Sequence, residues 1–171
     1  SLYEVNKEVY NMLKYGTGDT LYIGEKEQKV YFIDYEDYTN NDFYVAEEVT
    51  VEGQNEKRHD IVIYINGIAI GVIELKRSTV SINEGIRQNL DNQKALFIEK
   101  FFTTIQFVIA GNDTEGLKYA TTLTPAKYYL PWIEDIKAIG QLHEKVDSLI
   151  NKKDLLIDQQ LTSLFEKERI I

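Results

Sequence analysis

The spacing of hydrophobic residues changes along the chain and divides it into predicted helices and strands. Hydrophobic side chains three or four positions apart, from Leu2 to Leu13, predict an amphipathic helix over residues 2–14. The dipeptide Asn66-Gly67 is typical of a tight hairpin between two strands. Runs rich in β-branched and aromatic residues predict strands at 29–33, 43–51, 61–65, 68–76 and 104–110.

A second helix is predicted over residues 81–100, where Ser81 and Glu84 form a capping box. Because a strand precedes and follows this helix, the pattern implies a crossover to a parallel neighbour. The tail from about Trp132 is helical in character, with hydrophobic stripes at Ile136, Ile139, Leu142, Leu155, Leu156, Leu161 and Leu164. These elements predict an α+β fold in which helices flank a mixed central sheet, with a core at 1–132 and a helical extension at 133–171.

Two charged residues end the most hydrophobic of the predicted strands. In residues 68–76 the alternation places Ile68, Ile70, Val72, Glu74 and Lys76 on one face, and both faces are apolar until Glu74. Burying charge costs several kcal/mol per ion unless it is compensated. A structural Glu74–Lys76 pair is one interpretation. A second carboxylate, Asp60, favours another, because two convergent carboxylates suit a divalent cation such as Mg²⁺.

The strand register tests this metal site. A plain two-residue turn pairs Ile65 with Ile68 and places Asp60 opposite Ile73, on the wrong face from Glu74. A shared site therefore requires one odd residue, either in the loop or as a bulge near Gly71. We predict such an irregularity.

The predicted second helix carries a polar stripe beside its apolar one. Glu84, Gln88 and Asn92 are four residues apart, so they form either a solvated face or a surface that abuts Glu74, with Gln88 contacting phosphate or metal-bound water. Glu8 on the first helix is a weaker candidate carboxylate, for which solvent exposure is expected. We also expect His59 and His143 to lie on the surface.

The amino-acid composition excludes several kinds of site and of ligand binding. Among 171 residues there is no cysteine, which excludes disulfides, thiolate zinc sites and a cysteine nucleophile. The formal net charge of −9 argues against a strong electrostatic grip on DNA by this chain alone. The G-x-x-x-x-G segment at 111–116 lacks the Lys-Ser/Thr of a phosphate-binding loop, so ATP binding there is not expected. We expect Tyr128, Tyr129 and Trp132 to pack a helix on the core.

The spacing of Asp60, of E-x-K at 74–76 and of Gln88 resembles the PD-(D/E)XK nucleases, and more narrowly the N-terminal nuclease domain of the R subunit of type I restriction enzymes. The strings RHDIVIYINGIAIGVIELK, FVIAGNDTEGLKYATT and KYYLPWI carry the resemblance further. It implies that Asp60 and Glu74 bind Mg²⁺, that Lys76 is the catalytic lysine and that Gln88 opens a Q-x-x-x-Y motif. Asn92 stands in place of the motif's tyrosine. The family's opening-helix glutamate falls on Glu8.

The resemblance also implies a role. Family members continue into an ATP-driven translocase, so ATP would be used by the full-length subunit and not be bound by this chain. The implied reaction is cleavage of double-stranded DNA after translocation, in the prokaryotic cytoplasm, without a membrane and together with specificity and methyltransferase subunits. The chain alone is expected to cut poorly. The alternative is a nuclease-like docking module that has lost its activity.

Overall fold

A six-stranded mixed sheet forms the centre of the protein in the computed structural model, which describes residues 1–18, 21–133, 146, 148–150 and 152–171. The strands are β1 (Leu21–Ile23), β2 (Lys26–Gln28), β3 (Phe43–Val51), β4 (Lys57–Ile65), β5 (Ile68–Leu75), β6 (Phe107–Asn112), β7 (Gly116–Ala120) and β8 (Leu130–Pro131). The helices are α1 (Leu2–Tyr15), α2 (Ile82–Asn92), α3 (Leu156–Leu164) and α4 (Lys167–Ile170). Short 3₁₀ helices lie at Tyr38–Asn40, Glu99–Thr103 and Ala126–Tyr128.

The sheet has the order β3-β4-β5-β6-β7-β8, while β1 and β2 form a separate hairpin. All neighbours in the sheet are antiparallel except β5 and β6, which are parallel and joined through α2. The predicted parallel crossover and the predicted α+β class are therefore confirmed. Strand β5 lies inside the sheet and is buried from Ile70 to Glu74, as expected for a strand that is covered on both faces.

Each face of the sheet carries its own hydrophobic core. Val62, Val72 and Ile86 belong to the core beneath α2, whereas Ile63, Ile73 and Leu164 belong to the core beneath α3. Helix α1 contributes to both, with Leu2 in the first core and Leu13 in the second, so it runs from one layer to the other.

A β-bulge in β5 supplies the irregularity that the sequence required. The two-residue turn pairs Ile65 with Ile68, yet Ile63 pairs with Gly71 and Ile61 with Ile73, so Ile70 is one extra residue. The expectation that even-numbered residues of β5 share one face is wrong, because the bulge reverses the alternation. Ile68 and Ile70 face the core beneath α3, whereas Val72 faces the core beneath α2.

Two predicted elements differ from the structure. Residues 29–33 do not form a strand, because side chains and loop backbone make the hydrogen bonds with the backbone groups of this segment. Thr17 Oγ1 accepts from the Val30 N–H and Asn66 Nδ2 donates to the Phe32 carbonyl. The predicted helix 81–100 ends at Asn92, whose carbonyl accepts from the Ile98 N–H. This turn carries the chain into the 3₁₀ helix at 99–103 and buries Ile98.

The tail packs on the sheet through Trp132, whose Nε1 donates to Ser163 Oγ at 2.8 Å and whose ring contacts Tyr119. Of the predicted stripe in this region, Leu164 is buried, whereas Leu155 and Leu156 are exposed and do not belong to the core. The earlier stripe of Ile136, Ile139 and Leu142, together with His143, lies outside the described residues.

Across the part of the chain that the structure describes, no helix combines the length and apolar character needed to cross a bilayer.

Candidate active site

Glu74 is a fully buried carboxylate near the carboxyl end of β5. Its Oε1 lies 2.8 Å from His59 Nδ1, and its Oε2 accepts from Gln88 Nε2 at 2.6 Å. A buried charge requires such partners, because its desolvation costs several kcal/mol. The two contacts fix the orientation of the carboxylate from both sides.

Gln88 connects Glu74 to Lys76. The Lys76 ammonium donates to Gln88 Oε1 at 2.6 Å and lies 4.0 Å from Glu74 Oε2. The amide orientation follows from these partners, since its NH₂ group faces a carboxylate and its oxygen faces an ammonium. The Lys76 side chain is 20% exposed, so its amine lies between the buried carboxylate and solvent. Of the polar stripe of α2, Gln88 therefore contacts the strand that carries Glu74.

Gly85 allows α2 to approach the sheet closely enough for these bonds. A Cβ at this position would lie 3.1 Å from Ala110 Cβ and 3.5 Å from the Glu74 carbonyl oxygen. Glycine within a helix costs about 0.5–1 kcal/mol relative to alanine. Here the missing side chain places Gln88, three residues further along the helix, within reach of Glu74.

Asp60 lies one residue beyond the last pair between β4 and β5, Ile61 with Ile73. Continuing that register, the bulge brings Asp60 opposite Glu74. Its Oδ2 accepts from the Leu75 N–H at 2.7 Å, where a strand carbonyl would otherwise bond. The carboxylate of Asp60 therefore lies against the backbone of β5 next to Glu74, at the end of the β4–β5 pair where the strand pairing stops.

His59 is the residue that the sequence misplaced. It was expected at the surface, yet its side chain is fully buried. Its ring stacks on Phe101 with centroids 5.4 Å apart and meets the edge of Phe102. A second irregularity lies next to it: Glu48, which would face Asp60 from β3, has a φ of 52°, and this one pair is missing from an otherwise continuous register. Simple alternation puts His59 on the same face as Ile61, so hydrophobic patterning offered no signal for its contact with Glu74.

The contact with Glu74 is made by Nδ1 of His59, which is the donor when the carboxylate is ionised. Nε2 has no hydrogen-bond partner within the described residues. The imidazole thus orients the carboxylate by a single directed bond within an aromatic surrounding.

The chemistry of these groups fits a magnesium ion. Among the described residues, no three His, Cys, Asp or Glu side chains converge on one point. Mg²⁺ does not require that, since it is commonly bound by one or two carboxylates with water and substrate phosphate. Asp60 Oδ1 has no hydrogen-bond partner in the described part of the chain, and each Glu74 oxygen receives one bond and keeps a further lone pair.

The other candidate residues divide into two groups. Glu84 is exposed and binds Arg87, and Glu8 is exposed and makes no contact with the site among the residues that the structure describes. Asn92 is fully buried, and neither of its amide atoms has a partner in the described residues. Asn92 therefore does not replace a tyrosine hydroxyl by bonding Gln88.

A cleft of about 510 Å³ opens beside the site, which we call the α2 cleft. Its lining consists of Lys57, Lys76, Val80, Glu84, Arg87, Gln88, Asp91, Asn92 and Phe97. Lys76 and Gln88 belong to both the cleft and the hydrogen-bonded chain around Glu74. A ligand in the cleft would therefore lie next to the catalytic candidates.

Comparison with known proteins gives a family. A family model described as the type I restriction enzyme R protein N terminus matches residues 1–127. The endonuclease subunit of the type I restriction enzyme SauMSSORF170P from Staphylococcus aureus strain MSSA476 is 34% identical over 105 residues, which cover 55% of this chain and 11% of the relative.

More distant relatives carry the same kind of name. The EcoprrI endonuclease subunit of Escherichia coli is 28% identical over 97 residues, which cover 56% of this chain and 31% of the relative. The putative MjaIXP endonuclease subunit of Methanocaldococcus jannaschii is 26% identical over 161 residues, 86% of this chain and 15% of the relative. The chain thus spans a minor part of the length of these relatives.

Proposed function

Since the chain belongs to the family of type I restriction enzyme R protein N termini, we propose that it is the endonuclease domain of an R subunit and hydrolyses DNA phosphodiester bonds with Mg²⁺. The observation that carries this proposal is the linked set of polar groups at the end of β5. Glu74 is bound by Gln88, Gln88 binds Lys76, and the Asp60 carboxylate lies at the backbone beside Glu74.

Each group has a distinct task in the proposed reaction. Asp60 and Glu74 would hold Mg²⁺, which when bound supplies positive charge against the phosphoryl oxygens. His59 and Gln88 hold the two Glu74 oxygens, so the carboxylate is oriented before substrate arrives. Lys76, positioned by Gln88, donates an N–H to the phosphate that is attacked, where negative charge develops.

The remaining steps of restriction belong to parts outside this chain. The proposal assigns recognition and methylation to partner subunits and ATP-driven movement along DNA to further domains of the R subunit. Because the chain is acidic, with a formal net charge of −9, those parts would supply most of the grip on double-stranded DNA.

Metal binding by the chain tests the site directly. We expect calorimetric titration with Mg²⁺ or Mn²⁺ to show saturable binding that is lost in Glu74→Gln and retained in Glu84→Gln. The control removes one exposed carboxylate of α2 that binds Arg87 and does not contact Glu74. Thermal unfolding of both variants checks that they fold. A chain that binds no metal at millimolar concentration would support the docking module instead.

Cleavage is best tested in the reconstituted enzyme, where the translocating domains are present. Lys76→Ala in the full R subunit, assembled with its partners, should retain ATP hydrolysis and lose DNA cleavage. Unimpaired cleavage would overturn the role of Lys76.

A further inference from the structure

The α2 cleft has an uneven distribution of charge. Three cations, Lys57, Lys76 and Arg87, and two carboxylates line it. Both carboxylates are engaged elsewhere, since Glu84 binds Arg87 and Asp91 binds the Lys94 ammonium. Lys76 is itself paired with the buried Glu74, so the positive charge of Lys57 is left facing the cleft in a chain whose formal net charge is −9.

Lys57 is held in place without an acidic partner. Its ammonium lies 4.0 Å from the centroid of the Phe97 ring, and no carboxylate of a described residue lies within ion-pair distance. A cation over an aromatic face keeps N–H donors that point away from the ring. The backbone of Phe97 is held in turn, because its carbonyl accepts from the Gln54 N–H at 3.0 Å. Lys57 is thus an ordered cation with donors left for an anion.

Asn92 provides a second and independent feature. Its side chain lines the cleft, is fully buried, and has neither Nδ2 nor Oδ1 paired in the described residues. Leaving one such group unpaired costs about 1–3 kcal/mol, so a ligand that reached the cleft and paired with this amide would gain binding free energy. Asn92 lies one helical turn after Gln88, on the side of α2 that reaches the catalytic candidates.

We propose that the α2 cleft binds a backbone phosphate of DNA adjacent to the phosphate that is cleaved, with Lys57 as the ionic contact and Asn92 Nδ2 as a hydrogen-bond donor. The inference rests on the proposed nuclease function and adds a substrate contact to it. The cleft shares Lys76 with the catalytic set, so a strand that occupies both sites passes from one phosphate to the next along α2.

The two contacts have different signatures in a binding assay. Fluorescence anisotropy of a labelled 20-bp duplex, measured without divalent metal at several salt concentrations, reports affinity while cleavage is absent. Loss of one ionic phosphate contact lowers the slope of log affinity against log salt by about 0.9 and the affinity by about eightfold at 0.1 M salt. We expect this change for Lys57→Gln. Lys26→Gln on exposed β2 removes the same charge outside the cleft and should leave the slope unchanged.

Asn92→Leu should weaken binding without changing the slope, because an amide carries no charge. The same variant should unfold at a higher temperature than the parent chain, since leucine has no polar groups left unpaired in the empty cleft. A merely structural asparagine would behave in the opposite way: its loss would lower the unfolding temperature and leave DNA affinity unchanged.

The outcomes separate this inference from the nuclease proposal, because the assay contains no metal and measures no cleavage. Equal slope changes in Lys57→Gln and Lys26→Gln, or no DNA binding even at 20 mM salt, would overturn it. Inorganic phosphate added at constant ionic strength distinguishes a free anion from DNA. If phosphate binds through Lys57 while DNA affinity does not depend on Lys57, the cleft is an anion site and the inference fails.

Discussion

Replacing His59 by phenylalanine should destabilise the protein far more than a surface substitution would. The aromatic ring fits beside Phe101 and Phe102, so the main loss is the hydrogen bond to Glu74 Oε1. Both side chains of this pair have 0% exposure. Leaving a buried polar group without its hydrogen bond costs about 1–3 kcal/mol, and more for a charged group, and we expect about 3 kcal/mol because Gln88 still binds the other oxygen.

The expected loss is large enough for ordinary thermal or urea unfolding. An entropy of unfolding of about 2.1 cal/mol/K per residue gives a decrease in Tm of about 8 °C for a loss of 3 kcal/mol. His59→Gln is the matched control, since its amide can still donate to Glu74 and should recover most of the loss. Isothermal titration of the same variants with Mn²⁺ measures metal affinity. It therefore shows whether loss of the hydrogen bond also impairs the orientation of the Glu74 carboxylate, apart from its effect on stability.

A double-mutant cycle isolates the contact itself. Glu74→Leu removes the carboxylate that His59 serves, so adding His59→Phe to it should cost little further stability. We expect a coupling free energy of about 2 kcal/mol, within the range for residues in direct contact. If the two losses simply add, or if His59→Phe changes the free energy of unfolding by less than about 0.5 kcal/mol, as surface substitutions do, the reasoning is refuted.

Three further predictions concern positions that shape the site and its surroundings. Gly85→Val should push α2 from the sheet, cost about 2 kcal/mol of stability by overpacking and weaken Mn²⁺ binding in calorimetry; unchanged metal affinity would contradict the role of close approach. Gly53→Ala adds a Cβ 2.3 Å from a backbone carbonyl oxygen and should lower the midpoint of urea unfolding. Gly18→Ala, with no atom within 4 Å of the added Cβ, should leave the midpoint unchanged. Equal midpoints for the two variants would show that the backbone around Gly53 moves aside without cost. The backbone N–H of Asp37 donates to the Asp34 carboxylate and holds the pKa of Asp34 below its ordinary value of 3.8. This hydrogen bond should therefore persist on acidification until the pH falls through the lowered pKa. A midpoint at or above pH 3.8 in the NMR shift of the Asp37 amide would contradict this.

The arrangement of β5 and its neighbours was largely predictable from sequence. The hairpin follows from Asn66-Gly67, and the parallel neighbour follows from a strand on each side of α2. The bulge was implied by counting alone, because Asp60 and Glu74 could share one end of the strand pair only if one residue was extra. These features depend on local turn chemistry and on the alternation of side chains between the two faces of a strand, and both can be recognised in short stretches of sequence.

The surroundings of Glu74 were less predictable. The contact with His59 lies beside an interrupted strand pair, where Glu48 of the neighbouring strand is left-handed, and no local pattern indicates this. The burial of Asn92 depends on where α2 ends and how the chain turns toward Ile98. Such positions are decided by tertiary packing, which overrides the periodicity of a single segment.

The placement of the extra residue in β5 makes the number of residues between the bulge and Glu74 decisive for where the acid lies. Deleting Ile70 would remove the bulge but keep every pair from Gly71 onward, so the acid would stay beside α2. Deleting one residue between Gly71 and Glu74 would instead reverse the side chains that follow and carry the acid toward the core beneath α3. Engineering of this protein can therefore shorten the bulge itself more safely than it can change the length of the stretch that follows it.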